Sequence, residues 1–118
     1  MTAGSTAPTV DTLIVGAGIA GLLLARRLQT AGQKVQVLEK SRGYGGRLAT
    51  KRVGEAALDS GAQFITAQDP RFAALTAQWH DAGHLDAWPG GPAHRLVGRP
   101  TMNALARVLA EGLDIIRE

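Results

Sequence analysis

The sequence predicts an α/β fold, a parallel sheet opened by a βαβ unit, and three observations carry that prediction. A short continuous apolar run, Leu13-Ile14-Val15, leads straight into the glycine-patterned turn Gly16-Ala17-Gly18-Ile19-Ala20-Gly21. A helix-like stretch follows and stops at Gly32, and a second run, Val35-Gln36-Val37-Leu38, ends at the acid Glu39. Strands covered on both faces read as nearly unbroken apolar runs, which suits the interior of a parallel sheet.

Residues 1–10, rich in Ala, Ser, Thr and Pro, read as a flexible arm ahead of a domain over 11–118. The stretch from Ile19 to Ala31 has apolar residues at 19, 22, 23 and 28 and cations Arg26 and Arg27 in its later turns, with Gly32 just past its end. That is the pattern of a helix with its stop signal. A glycine-rich loop then continues to about Thr50. Asp69 caps a second helix, with Pro70 at its first position, Phe72, Leu75 and Trp79 on one face and Gly83 as the stop. A turn-rich segment runs from His84 to Pro92, and Leu96-Val97 reads as a short strand. A last helix starts at Pro100-Thr101, shows Met102, Leu105 and Leu109 on one face, and is followed by Gly112. Leu113 to Ile116 then reads as a parallel strand beside the first strand, at the centre of the sheet. Such a strand needs a crossover beyond it, so the expectation is the N-terminal portion of an incomplete, truncated domain.

The turn predicts a Rossmann-like dinucleotide site. A pyrophosphate needs donors, and the unpaired amides and dipole of a helix N-terminus supply them. Gly16 permits the tight exit from the strand, Gly18 lacks the Cβ that would block the phosphates, and Gly21 lets the helix lie close to the sheet. Glu39 follows Gly21 by 18 residues, where a carboxylate can accept from ribose hydroxyls. A glycine pattern alone is weak, but here strand, turn, helix, stop and acid agree in order. The acid suits FAD or NAD and repels the 2′-phosphate of NADP, which places any NADP(H) elsewhere, as a substrate.

The stretch Glu39-Lys40-Ser41-Arg42-Gly43-Tyr44-Gly45-Gly46-Arg47-Leu48-Ala49-Thr50 resembles the second glycine motif, G-G-R-x-x-T/S, of flavoproteins related to amine oxidases. Asp59-Ser60-Gly61-Ala62-Gln63-Phe64-Ile65-Thr66 is similar to the next segment of that superfamily, which runs past the flavin ring. The likeness is nearest to renalase-like NAD(P)/FAD-dependent oxidoreductases and extends through Asp69-Pro70-Arg71-Phe72, Trp88-Pro89-Gly90 and the helix near Thr101. It implies an FAD-dependent oxidoreductase when intact, taking a hydride from a reduced nicotinamide or an amine and passing electrons to oxygen. It also implies a longer protein, whose further residues supply the substrate domain.

The cofactor residues expected on this basis are Gly16, Gly18, Gly21 and Glu39 toward the adenine half, Ile19, Ala20 and Arg47 along the diphosphate, and Lys40 and Gly46 as further contacts with no half assigned. Gly61, Ala62 and Gln63 form part of the ring wall. By themselves Gly61-Ala62 read as a turn into a strand over Gln63–Thr66, and the resemblance is what makes them flavin contacts. Lys40, Arg42, Arg47, Lys51 and Arg52 place five cations in thirteen residues without an acid. Lys51 and Arg52 read as solvated, whereas Arg47, between a glycine pair and Leu48, is the cation expected along the phosphates. No catalytic side chain is named.

Composition sets the outer limits. At 118 residues, 45% hydrophobic and 19% charged, the chain is one globular domain at most. The absence of cysteine excludes disulfides, thiol catalysis and zinc–thiolate sites, and fits a cytoplasmic protein. The first ten residues lack the basic start of a leader, and the apolar stretch from Leu13 to Ala25 is too short and glycine-rich to span a bilayer. The net charge of +3 could suggest nucleic acid, but five scattered aromatics offer no stacking platform. His80 and His84 have helical ligand spacing, yet Gly83 intervenes and no third ligand is in view, so no metal is expected. Asp59 reads as a group bonding the Gly61-Ala62 turn. Two other readings stay open: an NAD-binding dehydrogenase module, and a non-catalytic remnant or assembly subunit self-associating through an exposed sheet edge.

Overall fold

The computed structural model describes residues 9–92 and 94–117, so most of the expected arm lies outside it. Its first unit is the expected one: β1 (Thr12–Val15), α1 (Ile19–Thr30) and β2 (Val35–Glu39). Gly32, at φ +89°, follows the end of α1 as the stop signal requires. β1 and β2 pair in parallel, Ile14 opposite Val37 and Val15 opposite Leu38. Ile14 and Val37 point to the same face and are buried there under α1, whose Leu22 and Ala25 are fully buried.

The glycine-rich stretch after β2 ends in a single 3-10 turn over Gly46–Leu48. A hairpin follows, β3 (Thr50–Val53) and β4 (Ala56–Asp59), antiparallel with Thr50 opposite Asp59. Nothing in the sequence reading anticipates this hairpin. Apart from Thr50 and Asp59, its strand residues are all exposed, so they carry no alternation of apolar and polar residues to reveal a strand.

α2 (Pro70–Asp81) starts as expected, with Asp69 accepting from the amides of Arg71 and Phe72. Phe72 and Trp79 meet edge to face, 6.0 Å between centroids. The segment read as turn-rich contains a strand, β5 (Leu85–Ala87), paired with β6 (Leu96–Gly98). Only Leu85 of β5 is buried, too little apolar patterning to mark a strand. The strand alternative over Gln63–Thr66 reduces to a single bridge between Ile65 and Leu96.

α3 (Met102–Ala110) buries Met102, Leu105, Ala106, Leu109 and Ala110. It packs on α1, where Arg26 donates to the Leu109 and Glu111 carbonyls at 3.3 and 3.0 Å, and Gln29 to Gly112 at 3.0 Å. β7 (Asp114–Arg117) then corrects one expectation: it pairs in parallel with β2, not with β1, giving the order β1-β2-β7. The reason is handedness. α1 and α3 share one face of the sheet, and successive right-handed crossovers on one face add strands in one direction. A return beside β1 would have needed α3 on the opposite face.

Candidate functional site

Each glycine of the first turn answers a different demand. Gly16 sits at φ +105°, a backbone conformation that side chains disfavour, and its amide donates to Leu38 at 2.7 Å. A Cβ on Gly21 would run into the Gly16 carbonyl, so this residue lets α1 approach β1. Gly18 is unlike both. Its backbone, φ −77° and ψ 178°, is open to any residue, and a Cβ there would meet nothing within 4 Å. The fold does not require glycine at 18; a ligand approaching the start of α1 would.

That start is prepared for an anion. Gly18 is the N-cap residue, no side chain caps the helix and no acid lies in its first turn. The amides of Ala20 and Gly21 therefore have no acceptor one turn back in the helix, and the dipole adds partial positive charge.

The second glycine motif forms a strap against this turn. The Gly45 amide donates to Ala17 at 2.7 Å, and Gly18 and Gly45 form a parallel bridge. Both strap glycines have positive φ, +109° at Gly45 and +52° at Gly46, and a Cβ on Gly46 would lie 3.3 Å from the Gly18 Cα. Arg47 is exposed and makes no ion pair among the described residues. Its carbonyl accepts from Ala62 at 2.6 Å, which ties the strap to the Gly61-Ala62 segment, where a Cβ on Gly61 would strike that same carbonyl.

Together these segments enclose a cleft of about 550 Å³, open to solvent. Its lining comprises Gly18, Ile19 and Ala20 of the first turn, Gly45 to Leu48 of the strap, and Ala62, Phe64, Ile65, Thr66 and Phe72. A helix start without a capping side chain and several apolar side chains in one lining suit a molecule that carries both a diphosphate and a flat ring. Phe64 is fixed as a wall: Trp88 meets it edge-on at 5.4 Å and the Arg95 guanidinium stacks over it at 4.6 Å.

Ile19, Ala20, Gly18, Gly46, Arg47 and Ala62 thus converge on one cleft, as the sequence suggests. Gly16, Gly21 and Gly61 support its frame. Gln63 departs from expectation: it lines a separate cleft of about 470 Å³ with Asp59, Trp88, Val97, Arg99 and Pro100. Lys40 is exposed and outside the cleft lining. Gly45, Leu48, Phe64, Ile65, Thr66 and Phe72 line the cleft as well, beyond the residues expected there, although all six lie in segments that carry the resemblance. Asp59 also takes a different role, accepting from the Thr50 hydroxyl at 2.8 Å and the Met102 amide at 3.1 Å rather than bonding the Gly61-Ala62 turn.

Glu39 ends β2 beside the turn. Its Oε1 accepts from the Ala17 amide at 2.7 Å, and its Oε2 from the Ser41 amide and hydroxyl at 2.9 and 2.7 Å. The Ala17 amide, with the Ser41 donors behind it, holds the carboxyl below its ordinary pKa. The side chain is thus kept ionised and aimed, with acceptor capacity left for a hydroxyl. No helix among the described residues is long and apolar enough to cross a membrane.

Comparison with known proteins agrees with this geometry. The profile of the NAD(P)-binding Rossmann-like domain family matches residues 14–79. A putrescine oxidase from Kocuria rosea is 45% identical over 65 residues, 55% of this chain and 14% of that protein. A flavin-dependent L-tryptophan oxidase from Lentzea aerocolonigenes is 50% identical over 42 residues, 36% of this chain and 9% of that one. A solved structure of putrescine oxidase bound to putrescine superimposes with a TM-score of 0.54 at 35% identity, covering 67% of this chain and 17% of the other. The matched part of this chain spans less than a fifth of the length of each of these relatives.

Proposed function

Because this chain belongs to the NAD(P)-binding Rossmann-like domain family, we propose that it forms the FAD-binding part of a flavin-dependent oxidoreductase of the amine-oxidase kind. The single observation that carries the reading is Gly18, a glycine with ordinary backbone angles and free space where its Cβ would be, at the uncapped start of α1. In this reading the amides of Ile19 and Ala20 receive the diphosphate, Arg47 lies along it, and Glu39 accepts from the adenosine ribose. Ala62, Phe64 and Phe72 exclude water from one side of the ring. The bound flavin supplies two-electron chemistry, accepting a hydride from an amine or a reduced nicotinamide and delivering electrons to oxygen. The renalase-like subgroup is favoured by the likeness through Trp88-Pro89-Gly90, which lies beyond the residues that the family profile matches.

Titration of the purified chain with FAD, followed by flavin fluorescence, tests this. Saturable binding is expected. Gly18→Ala should weaken it at least about tenfold while leaving stability within about 0.5 kcal/mol of wild type, since the backbone accepts alanine. Arg47→Ala should also weaken it. Equal FAD binding by wild type and Gly18→Ala would remove the proposed phosphate position, and tight binding of NADH with indifference to FAD would favour the dehydrogenase reading.

A further inference from the structure

Besides its backbone bonds to Ala17 and Ala62, the strap is held by a side chain from outside the cleft. Asn103, on the first turn of α3, donates from Nδ2 to the Tyr44 carbonyl at 2.6 Å and accepts at Oδ1 from Arg107 Nε at 3.2 Å. The orientation of its amide is forced, since a carbonyl needs a donor and a guanidinium an acceptor. The same turn presses on the strap directly: a Cβ on Gly45 would lie 2.9 Å from Asn103 Nδ2 and 3.1 Å from the Ala106 Cβ.

That turn is itself anchored. The Asn103 amide donates to Thr50 Oγ1 at 3.1 Å and the Met102 amide to Asp59 Oδ1 at 3.1 Å, while Thr50 Oγ1 donates to the same carboxylate oxygen at 2.8 Å. Thr50 and Asp59 face each other at the open end of the β3–β4 hairpin. Just outside that end, the Ser60 and Gly61 amides donate to Ala49 at 3.0 and 3.1 Å, and Ala62 to Arg47. One group of three side chains thus ties α3 to both the diphosphate strap and the ring-side segment.

We propose that Asn103, anchored through Thr50 and Asp59, is a positioning residue that sets the diphosphate affinity of the cleft by holding Gly45–Arg47 against Gly18. This rests on the reading of the cleft as an FAD site. Asn103→Asp is the discriminating variant. It keeps the shape and the bond to Arg107 and adds a negative charge that a helix N-terminus favours, but it sets a carboxylate oxygen against the Tyr44 carbonyl.

Binding of ADP and of FAD is measured on the full chain, with the thermal midpoint and hydrogen exchange of the Gly45–Leu48 amides read on the apo form. Asn103→Asp is expected to raise both dissociation constants about tenfold and to speed exchange in the strap with little change of midpoint. Leu109→Ala, at the far end of α3, is expected to lower the midpoint and leave affinity intact. Wild-type affinity and exchange in Asn103→Asp, or an equal affinity loss in Leu109→Ala, would overturn the inference while the FAD reading stands. A wild-type chain that binds neither ADP nor FAD overturns both.

Discussion

At Glu39 three protein donors converge on one carboxylate, and the consequence is a pH dependence. Its folded pKa lies below the ordinary value of 4.5. The stability it contributes is therefore fully present above the unfolded value and is lost as pH falls through the folded one. Glu39→Gln places an amide nitrogen against the Ser41 donors and forfeits that contribution. In urea denaturation, the gap between wild type and Glu39→Gln should be constant from pH 6 to 8 and close below about pH 4. A gap unchanged at pH 3 would show that the carboxylate charge is irrelevant to folding. Glu39 and Gly18 were both legible in the sequence, since each stands at a fixed offset within a local motif. Asn103 was not: its partner Tyr44 is 59 residues away, and an asparagine in a helix announces nothing by itself.

At the scale of elements, the two later glycines of the first motif separate folding from binding. Gly21→Ala sets a methyl against the Gly16 carbonyl and 3.4 Å from the Ile14 Cγ2, and the obstacle is backbone that cannot swing aside. It should cost about 1–3 kcal/mol by chemical denaturation, in contrast to the near-neutral Gly18→Ala. An equally neutral Gly21→Ala would mean that α1 does not sit this close to β1 in solution. α1, α2 and α3 were readable because each carries a cap or stop residue and an apolar face at helical spacing. The β3–β4 hairpin, its strands exposed apart from Thr50 and Asp59, has no such signal, yet its open end anchors α3.

At the scale of the whole molecule, the described residues cover one side of the sheet and leave the other open. α1 and α3 bury the row of Ile14 and Val37, while Leu13, Val15 and Ile116, which alternate to the opposite face, are 51%, 83% and 49% exposed. The radius of gyration, 16.4 Å, exceeds the roughly 13.5 Å expected of a compact chain of this length, and the shortest extent is 19 Å. Parallel sheets are ordinarily covered on both faces, and an open apolar face invites association. Val15→Lys should therefore change stability in urea denaturation by no more than about 0.5 kcal/mol. A large loss of stability would show that Val15 is packed in solution. What the sequence alone determined was whatever depends on neighbours along the chain: the βαβ unit, the glycine turn, the acid at its end and the two later helices. Only the tertiary structure decided that β7 joins β2, that Gln63 lines a second cleft instead of the main one, and that α3 bonds the strap. Those features depend on crossover direction and on contacts between residues far apart in sequence, which local patterns of hydrophobicity and turn chemistry do not encode.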